Sequence, residues 1–273
     1  MTTIDEKTKR FRALHEKGEA FVIPNPWDAG SARILEGLGF KALATTSSGF
    51  ALTKGRRDYG VTREEVIGHC REIAGAVDIP VTADLENGFG AKPEDASETI
   101  RLAGETPLCG GSIEDSTGDA DKPIFDQALA VERIAAAAEA ARALPRDFVL
   151  TARAEAFLYG KGDLDEVIAR LNAFADAGAD VLFTPGLPDM DAVAAVCGGV
   201  AKPINVLILG DLKQHSVAEF ARAGAARLSI GGGLAWSAYG TLSDAQAILK
   251  DGAFAAIGGK SEGAKIVAQY LKD

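Results

Sequence analysis

Carboxylates gather where the apolar runs of this sequence end. Asp28, Asp84-Leu85-Glu86, Glu114-Asp115 and Arg153-Ala154-Glu155 each close a short β-rich stretch, and Ser47-Ser48-Gly49, Thr184 and Asn205 close others. Asp84 and Glu86 are two residues apart, so on one strand both would point to the same face, and Arg153 and Glu155 share that relation. Several carboxylates brought together are too costly to bury unless a cation neutralises them. An all-oxygen donor set, with no histidine or thiolate at a strand end, suits a hard divalent ion, Mg²⁺ or Mn²⁺. His15, His69 and His215 fall in helical stretches without HxxxH or HExxH spacing, which argues against zinc. Arg153, set among acids, can serve as a planar fork for a substrate carboxylate or phosphonate. The alternative is a purely structural Asp/Glu–Arg network.

Other chemistries lack their residues. Lys41 and Lys202 precede strands, the wrong end for a Schiff-base lysine. No GxSxG elbow, GxGxxG turn or GxxxxGK[ST] loop occurs. Gly231-Gly232-Gly233 reads as a tight turn before Trp236 rather than a phosphate loop. The charged stretch Ala51–Gly60 admits two readings, a solvated run or a lid over the site, and both stand open.

The elements that must carry these residues alternate eight times. Strands are expected over Phe21–Asp28, Ala42–Ser48, Pro80–Glu86, Gly110–Asp115, Phe148–Glu155, Asp180–Pro185, Pro203–Leu209 and Ala226–Gly231. They are apolar almost throughout, as parallel strands covered on both faces should be. Helical patterns span Thr62–Val77, Pro93–Thr106, Asp126–Leu144, Leu164–Gly178 and His215–Gly224. Thr62 and Asp163 are N-cap signals, while Gly39, Gly178 and Gly224 sit where left-handed caps belong. Eight β–α units predict one (β/α)8 TIM-type barrel domain over residues 1–273, whose active site forms at the C-terminal strand ends. There the carboxylates are better placed for function than for structure alone. The tail 236–273 exceeds one closing helix and is expected to pack on a neighbouring subunit.

Composition bounds the rest. The 273 residues carry 39 acidic and 29 basic side chains, a net charge of −10, with 47% hydrophobic residues. That excludes disorder and argues against a nucleic-acid surface. Three scattered cysteines, Cys70, Cys109 and Cys197, read as reduced thiols. With no export signal or apolar span, a cytoplasmic protein without membrane partners is expected.

The segments PNPWDAGSARILEGLG, TTSSGFA, GRRD, TADLENGFG, IEDS and TARAEAF, in that order, resemble the isocitrate lyase/phosphoenolpyruvate mutase superfamily, over about Phe21 to Leu209. The resemblance implies a barrel whose eighth helix is swapped between subunits of a homodimer, often paired into a homotetramer. It implies that Asp84 binds Mg²⁺ directly and that Glu86 and Glu114 hold its waters. It also implies that Asp58 acts from a gating loop, that Ser48 and Gly49 cradle a substrate carboxylate, and that Arg153 and Asn205 clamp the same substrate. The shared chemistry stabilises a pyruvate enolate against the metal.

Departures narrow the expectation. Where the lyases carry a Lys-Lys/Arg-Cys-Gly-His motif, this chain reads Ser116–Pro123 without cysteine, and the lyase Asn-x-Thr-Glu is Asn205-Val206-Leu207-Ile208. The phosphonomutases' histidine after the sixth strand is replaced by Thr184-Pro185-Gly186. The expected enzyme is a Mg²⁺-dependent lyase or decarboxylase that cleaves the bond beyond C3 of an oxaloacetate-like 2-oxo acid. The alternatives are a C–P mutase or hydrolase acting on phosphonopyruvate, a 2-methylisocitrate lyase-like enzyme, and a non-catalytic 2-oxo acid binding protein.

Overall fold

Short β-rich runs too apolar to face water, separated by helices with one apolar stripe, leave the chain one economical arrangement: strands inside, helices around them. In a computed structural model, which describes residues 2–16, 18–252, 254 and 260–271, the strands are β1 (Phe21–Ile23), β2 (Leu43–Ala44), β3 (Val81–Asp84), β4 (Gly110–Glu114), β5 (Val149–Arg153), β6 (Val181–Phe183), β7 (Ile204–Leu207) and β8 (Arg227–Ser229). All pair in parallel in the order β1-β8-β7-β6-β5-β4-β3-β2. The ring closes between β1 and β2 not by a ladder but by a bond from the Ala44 N–H to the Pro24 carbonyl, 3.1 Å. This is the expected (β/α)8 barrel. Each strand lies within the run read from sequence, shortened at its ends.

The helices are α1 (Ile4–Ala13), α2 (Ala29–Gly37), α3 (Ser47–Thr53), α4 (Arg63–Ala76), α5 (Pro93–Gly104), α6 (Gln127–Ala143), α7 (Leu164–Asp176), α8 (Met190–Gly199), α9 (Val217–Arg222), α10 (Gly233–Gly240), α11 (Ser243–Asp251) and α12 (Lys260–Tyr270). Thr62 and Asp163 close capping boxes with Glu65 and Glu166, as their spacing predicts. Gly39, Gly178 and Gly224 take φ of 97°, 111° and 94°, the left-handed turn that ends a helix. Cys70, Cys109 and Cys197 are free thiols.

Helix α1 lies across the N-terminal end of the barrel, where buried Phe11 packs with Ile23, Cys109, Val149 and Val181. Above this plug the interior is unusual. Such barrels are commonly filled by Val, Ile and Leu, whereas Thr82, Ser112, Thr151, Asn205, Arg227 and Ser229 line the space here. The barrel therefore holds a cavity with buried polar groups in its interior, beside apolar lining residues such as Ile23, Phe183 and Leu207.

Of the tail 236–273, residues 253, 255–259, 272 and 273 lie outside the described ones. Helix α12 rests on α2 of the same chain, where a Cβ on Gly37 would lie 2.2 Å from the Tyr270 ring. Trp236, Leu242, Leu249, Phe254 and Val267 are exposed. Among the described residues, no helix is long and apolar enough to cross a membrane.

Candidate active site

The C-terminal strand ends converge on Arg153, the last residue of β5. Its guanidinium donates to Asp84 Oδ1 at 2.9 Å and Glu155 Oε1 at 2.9 Å, and lies 3.1 Å from Glu114 Oε2. The registers explain the meeting, because Glu114 is paired directly with Arg153 and Asp84 with Ser112 on the strand between. Burial works against the charged form of Arg153, but Glu114, Glu155 and Asp84 outweigh it and hold the guanidinium firmly protonated. Burial, resisted by Arg153, raises the pKa of Glu114 and of Glu155.

Asp58, Asp84, Arg153, Ser48 and Asn205 line one cleft of about 380 Å³ at the barrel mouth. Asp58 comes from the turn after α3. Its pKa is raised by loss of solvent around the carboxyl and by Asp84 opposite. Glu86 departs from expectation: it lies two residues beyond β3 with φ 49°, so it does not share a strand face with Asp84. It lines an adjoining cavity together with Tyr59 and Asn87, and its Oε1 is buried without a partner. Burial, then Asp84 and Asp58, pushes its pKa up to about 8.

Ser48 and Gly49 are not at a strand end. They form the first turn of α3, because Thr46 caps that helix by accepting the Gly49 N–H at 3.3 Å. The Gly49 amide is thereby engaged within the helix, and the residue's own contribution is space. A Cβ there would stand 2.5 Å from Thr46 Cγ2 and 3.2 Å from both Ala235 and Trp27. Gly232 is similar, since its Cβ would lie 2.6 Å from the Ser48 hydroxyl. The triple glycine is a turn into α10, held where Asn25 Oδ1 accepts the Ile230 and Gly231 amides. Asn205 also sits deeper than expected, as the second residue of β7.

Three functional neighbours escaped the sequence reading. Tyr59, beside Asp58, donates its hydroxyl to Glu114 Oε1 and ties the Ala51–Gly60 stretch to β4. Arg133, in the alanine-rich α6, is fully buried and donates to the carbonyls of Asn87, Gly90 (2.7 Å) and Lys92 (3.2 Å), clasping the loop after β3. Arg227, the first residue of β8, lies in the barrel interior. Burial, then repulsion from Arg153, pushes its pKa down to about 9, so it stays protonated at neutral pH. A charged residue inside an apolar strand was the readable signal for Arg227; the other two depend on contacts between distant segments.

The donor set fits a divalent cation. Asp84, Glu114 and Glu155 share a single guanidinium, Asp58 and Glu86 lie within its electrostatic reach, Glu86 carries an orphaned oxygen, and every donor is a hard oxygen. Among the described residues, no three Asp, Glu, His or Cys side chains already converge to share an ion. Arg153 instead stands in the middle of the carboxylates.

Comparison with known proteins finds relatives of one family. A profile of the family described as phosphoenolpyruvate phosphomutase matches residues 11–250. An uncharacterized protein of Mycobacterium tuberculosis is 31% identical over 81% of each chain. The 2-methylisocitrate lyase of Escherichia coli is 29% identical over 72% of this chain and 68% of its own. Among solved structures, a putative lyase/mutase from Burkholderia cenocepacia has TM-score 0.92 at 48% identity, covering 98% of this chain and 97% of that one. Oxaloacetate acetylhydrolase bound to its product oxalate has TM-score 0.85 at 25% identity, with coverage of 98% and 95%.

Proposed function

The chain belongs to the phosphoenolpyruvate phosphomutase family, and from that premise we propose that it is a divalent-cation-dependent lyase cleaving the bond beyond C3 of a small 2-oxo dicarboxylate such as oxaloacetate. One observation carries the choice of reaction: the polar groups lining the cleft, beside apolar Leu158, Phe183, Leu207 and Trp236, are carboxylates, hydroxyls, amides and guanidinium groups, with no cysteine or histidine among its lining residues. Decarboxylation needs a clamp for the substrate carboxylate, stabilisation of the enolate oxygen and a proton donor, and no thiol acid or base.

Asp84, Glu86 and Glu114 would hold Mg²⁺ or Mn²⁺. When bound, the cation supplies Lewis-acid stabilisation of the oxygen on which negative charge develops. Arg153, Ser48 and Asn205 bind and orient the substrate carboxylate, while Gly49 leaves room for the α3 turn to approach. The bond to the leaving carboxylate breaks, CO₂ departs, and the electron pair stays on the pyruvate fragment as its enolate. Asp58, with its raised pKa, delivers the proton to C3 from the cleft wall. The exposed apolar residues of the tail support a homodimer or homotetramer.

Proton NMR of the protein with oxaloacetate tests this, with Mg²⁺, with chelator, and without enzyme to subtract the slow reaction of the free metal ion. Pyruvate above background that disappears with chelator is the expected result, and Asp84→Ala should abolish it. Acetate and oxalate instead would replace decarboxylation by hydrolysis. Turnover of phosphonopyruvate alone would move the reading to C–P chemistry, and binding without turnover would leave a 2-oxo acid binding protein.

A further inference from the structure

Arg227 is a cation inside the barrel with no carboxylate partner among the described residues, and the charge that perturbs it is that of Arg153. It is 4% exposed and meets three groups. Its Nε donates to Asn205 Oδ1 at 2.9 Å, its Nη2 to Thr151 Oγ1 at 3.2 Å, and its Nη1 faces His15 Nε2 at 3.3 Å. The His15 Nδ1 lies 2.8 Å from the Phe11 carbonyl, which can only accept, so Nδ1 carries the proton and Nε2 offers its lone pair to Arg227.

A guanidinium can only donate. Each of its partners, able in principle to donate or accept, must therefore accept from it. The Asn205 amide cannot flip without setting N–H against N–H, so its Nδ2 turns away and donates to Ser229 Oγ at 2.9 Å. Ser229 then accepts from Asn205 and Thr151 accepts from Arg227, which leaves both hydroxyl hydrogens, and the second Asn205 amide hydrogen, for the cleft these residues line. Thr82, on the same lining, keeps a buried hydroxyl without any partner. The cleft lined by Asp58 and Asp84 thus also has a wall that presents hydrogens.

We propose that Arg227 is a positioning residue that fixes the hydrogen-bond polarity of this wall, so that Asn205, Thr151 and Ser229 present donors to the anionic oxygens of the substrate. This rests on the 2-oxo acid reading of the site. It makes the deep end of the cleft selective for ligands that offer only acceptors there, and against ligands offering an N–H.

Calorimetric titration with Mg²⁺ and either oxalate, an acceptor-only dianion, or oxamate, in which an amide replaces one carboxylate, tests the polarity directly. Wild type should prefer oxalate. Arg227→Met should weaken oxalate by about tenfold or more, the worth of a hydrogen bond to a charged acceptor, and narrow its preference over oxamate. Arg227→Lys keeps a donor-only cation and should retain oxalate within about threefold. Asn205→Asp gives Arg227 a carboxylate partner and should raise the melting temperature while losing oxalate binding. That pairing of opposite signs is not expected from a purely structural role, and it carries the test if Arg227→Met does not fold. An unchanged oxalate preference in Arg227→Met, no preference in wild type, or full oxalate binding by Asn205→Asp overturns the inference. Wild type that shows the preference but never turns over oxaloacetate refutes the proposed reaction and leaves the polarity result standing.

Discussion

Acidification should destabilise this fold through His15. The ring is 6% exposed, stands edge-on to Phe11 and Phe21, and has Arg227 against its free nitrogen. Burial foremost, then repulsion from Arg227 and Arg12, pushes its pKa down to about 3. Near pH 7 neither the folded nor the unfolded chain protonates this residue appreciably. As the pH falls through the unfolded value of about 6.5, the unfolded chain takes up a proton that the folded chain refuses, so stability is lost. The slope is about 1.4 kcal/mol per pH unit, which integrates to about 2 kcal/mol at pH 5. That figure holds for any folded value below about 4, and the loss ends only near the folded pKa.

Other groups titrate in the same range. His69, pushed down to about 4 mainly by burial, acts in the same direction. Asp115, pushed up to about 7 by burial, acts in the opposite one. The clean measure is therefore a difference between two proteins. Urea unfolding of wild type and His15→Gln at several values between pH 7 and 5 supplies it. Glutamine keeps an acceptor but does not titrate, so the variant should lose about 2 kcal/mol less than wild type over that interval. Parallel curves would mean that His15 protonates inside the fold, and the tautomer assigned to it, with the donor wall built above it, would be wrong.

Three further outcomes follow from contacts described above. Arg133→Met leaves three carbonyls of the loop after β3 without their donor and should cost roughly 3 kcal/mol in urea unfolding; a cost near zero would show that the clasp is dispensable. Gly232→Ala drives a Cβ into the Ser48 hydroxyl and should raise KM for the substrate more than it lowers Tm, an unchanged KM removing Ser48 from the binding site. Tyr59→Phe releases the Ala51–Gly60 stretch from Glu114, so trypsin should cut after exposed Arg56 or Arg57 about tenfold faster, the equivalent of one hydrogen bond to a carboxylate. Equal cleavage rates would mean that the tyrosine anchors nothing.

The barrel was legible because its strands are apolar on both faces and its helices carry their own boundary chemistry. Thr62 and Val77 flank α4 as its caps, and Asp126 and Leu144 flank α6, at the limits their residue types suggest. Arg153, Asp84 and Glu114 were legible for the same reason: a strand in known register fixes where its last side chain points. What could not be read were features set by local turns or distant contacts. Ser48 and Gly49 looked like a strand end until the Thr46 side chain, capping the next residues, turned them into a helix. Glu86 was expected beside Asp84 by strand alternation, but a left-handed backbone carries it off the sheet. Asn205 reads from sequence as a strand end, whereas its register with Arg227 sets it inside.

The junction of β2 with β1, which has no strand ladder, makes the barrel unequal around its circumference. From β3 to β8 and on to β1, neighbouring strands share ladders. The segment from β2 through α3 to Gly60 is fastened by its pairing to β3, across the gap by the Ala44 amide and by Asn25 Nδ2 donating to the Thr45 carbonyl, and at its far end by Tyr59 on Glu114. It carries Ser48 and Asp58 together, while Asp84, Glu114 and Arg153 end strands that are paired on both sides. If those few cross-gap bonds part, Ser48 and Asp58 move together relative to Asp84, Glu114 and Arg153, so solvent access to the cleft and the position of Asp58 depend on the one junction of the sheet without a ladder. The Ala44 amide should exchange with solvent well ahead of the amides of β4 and β5.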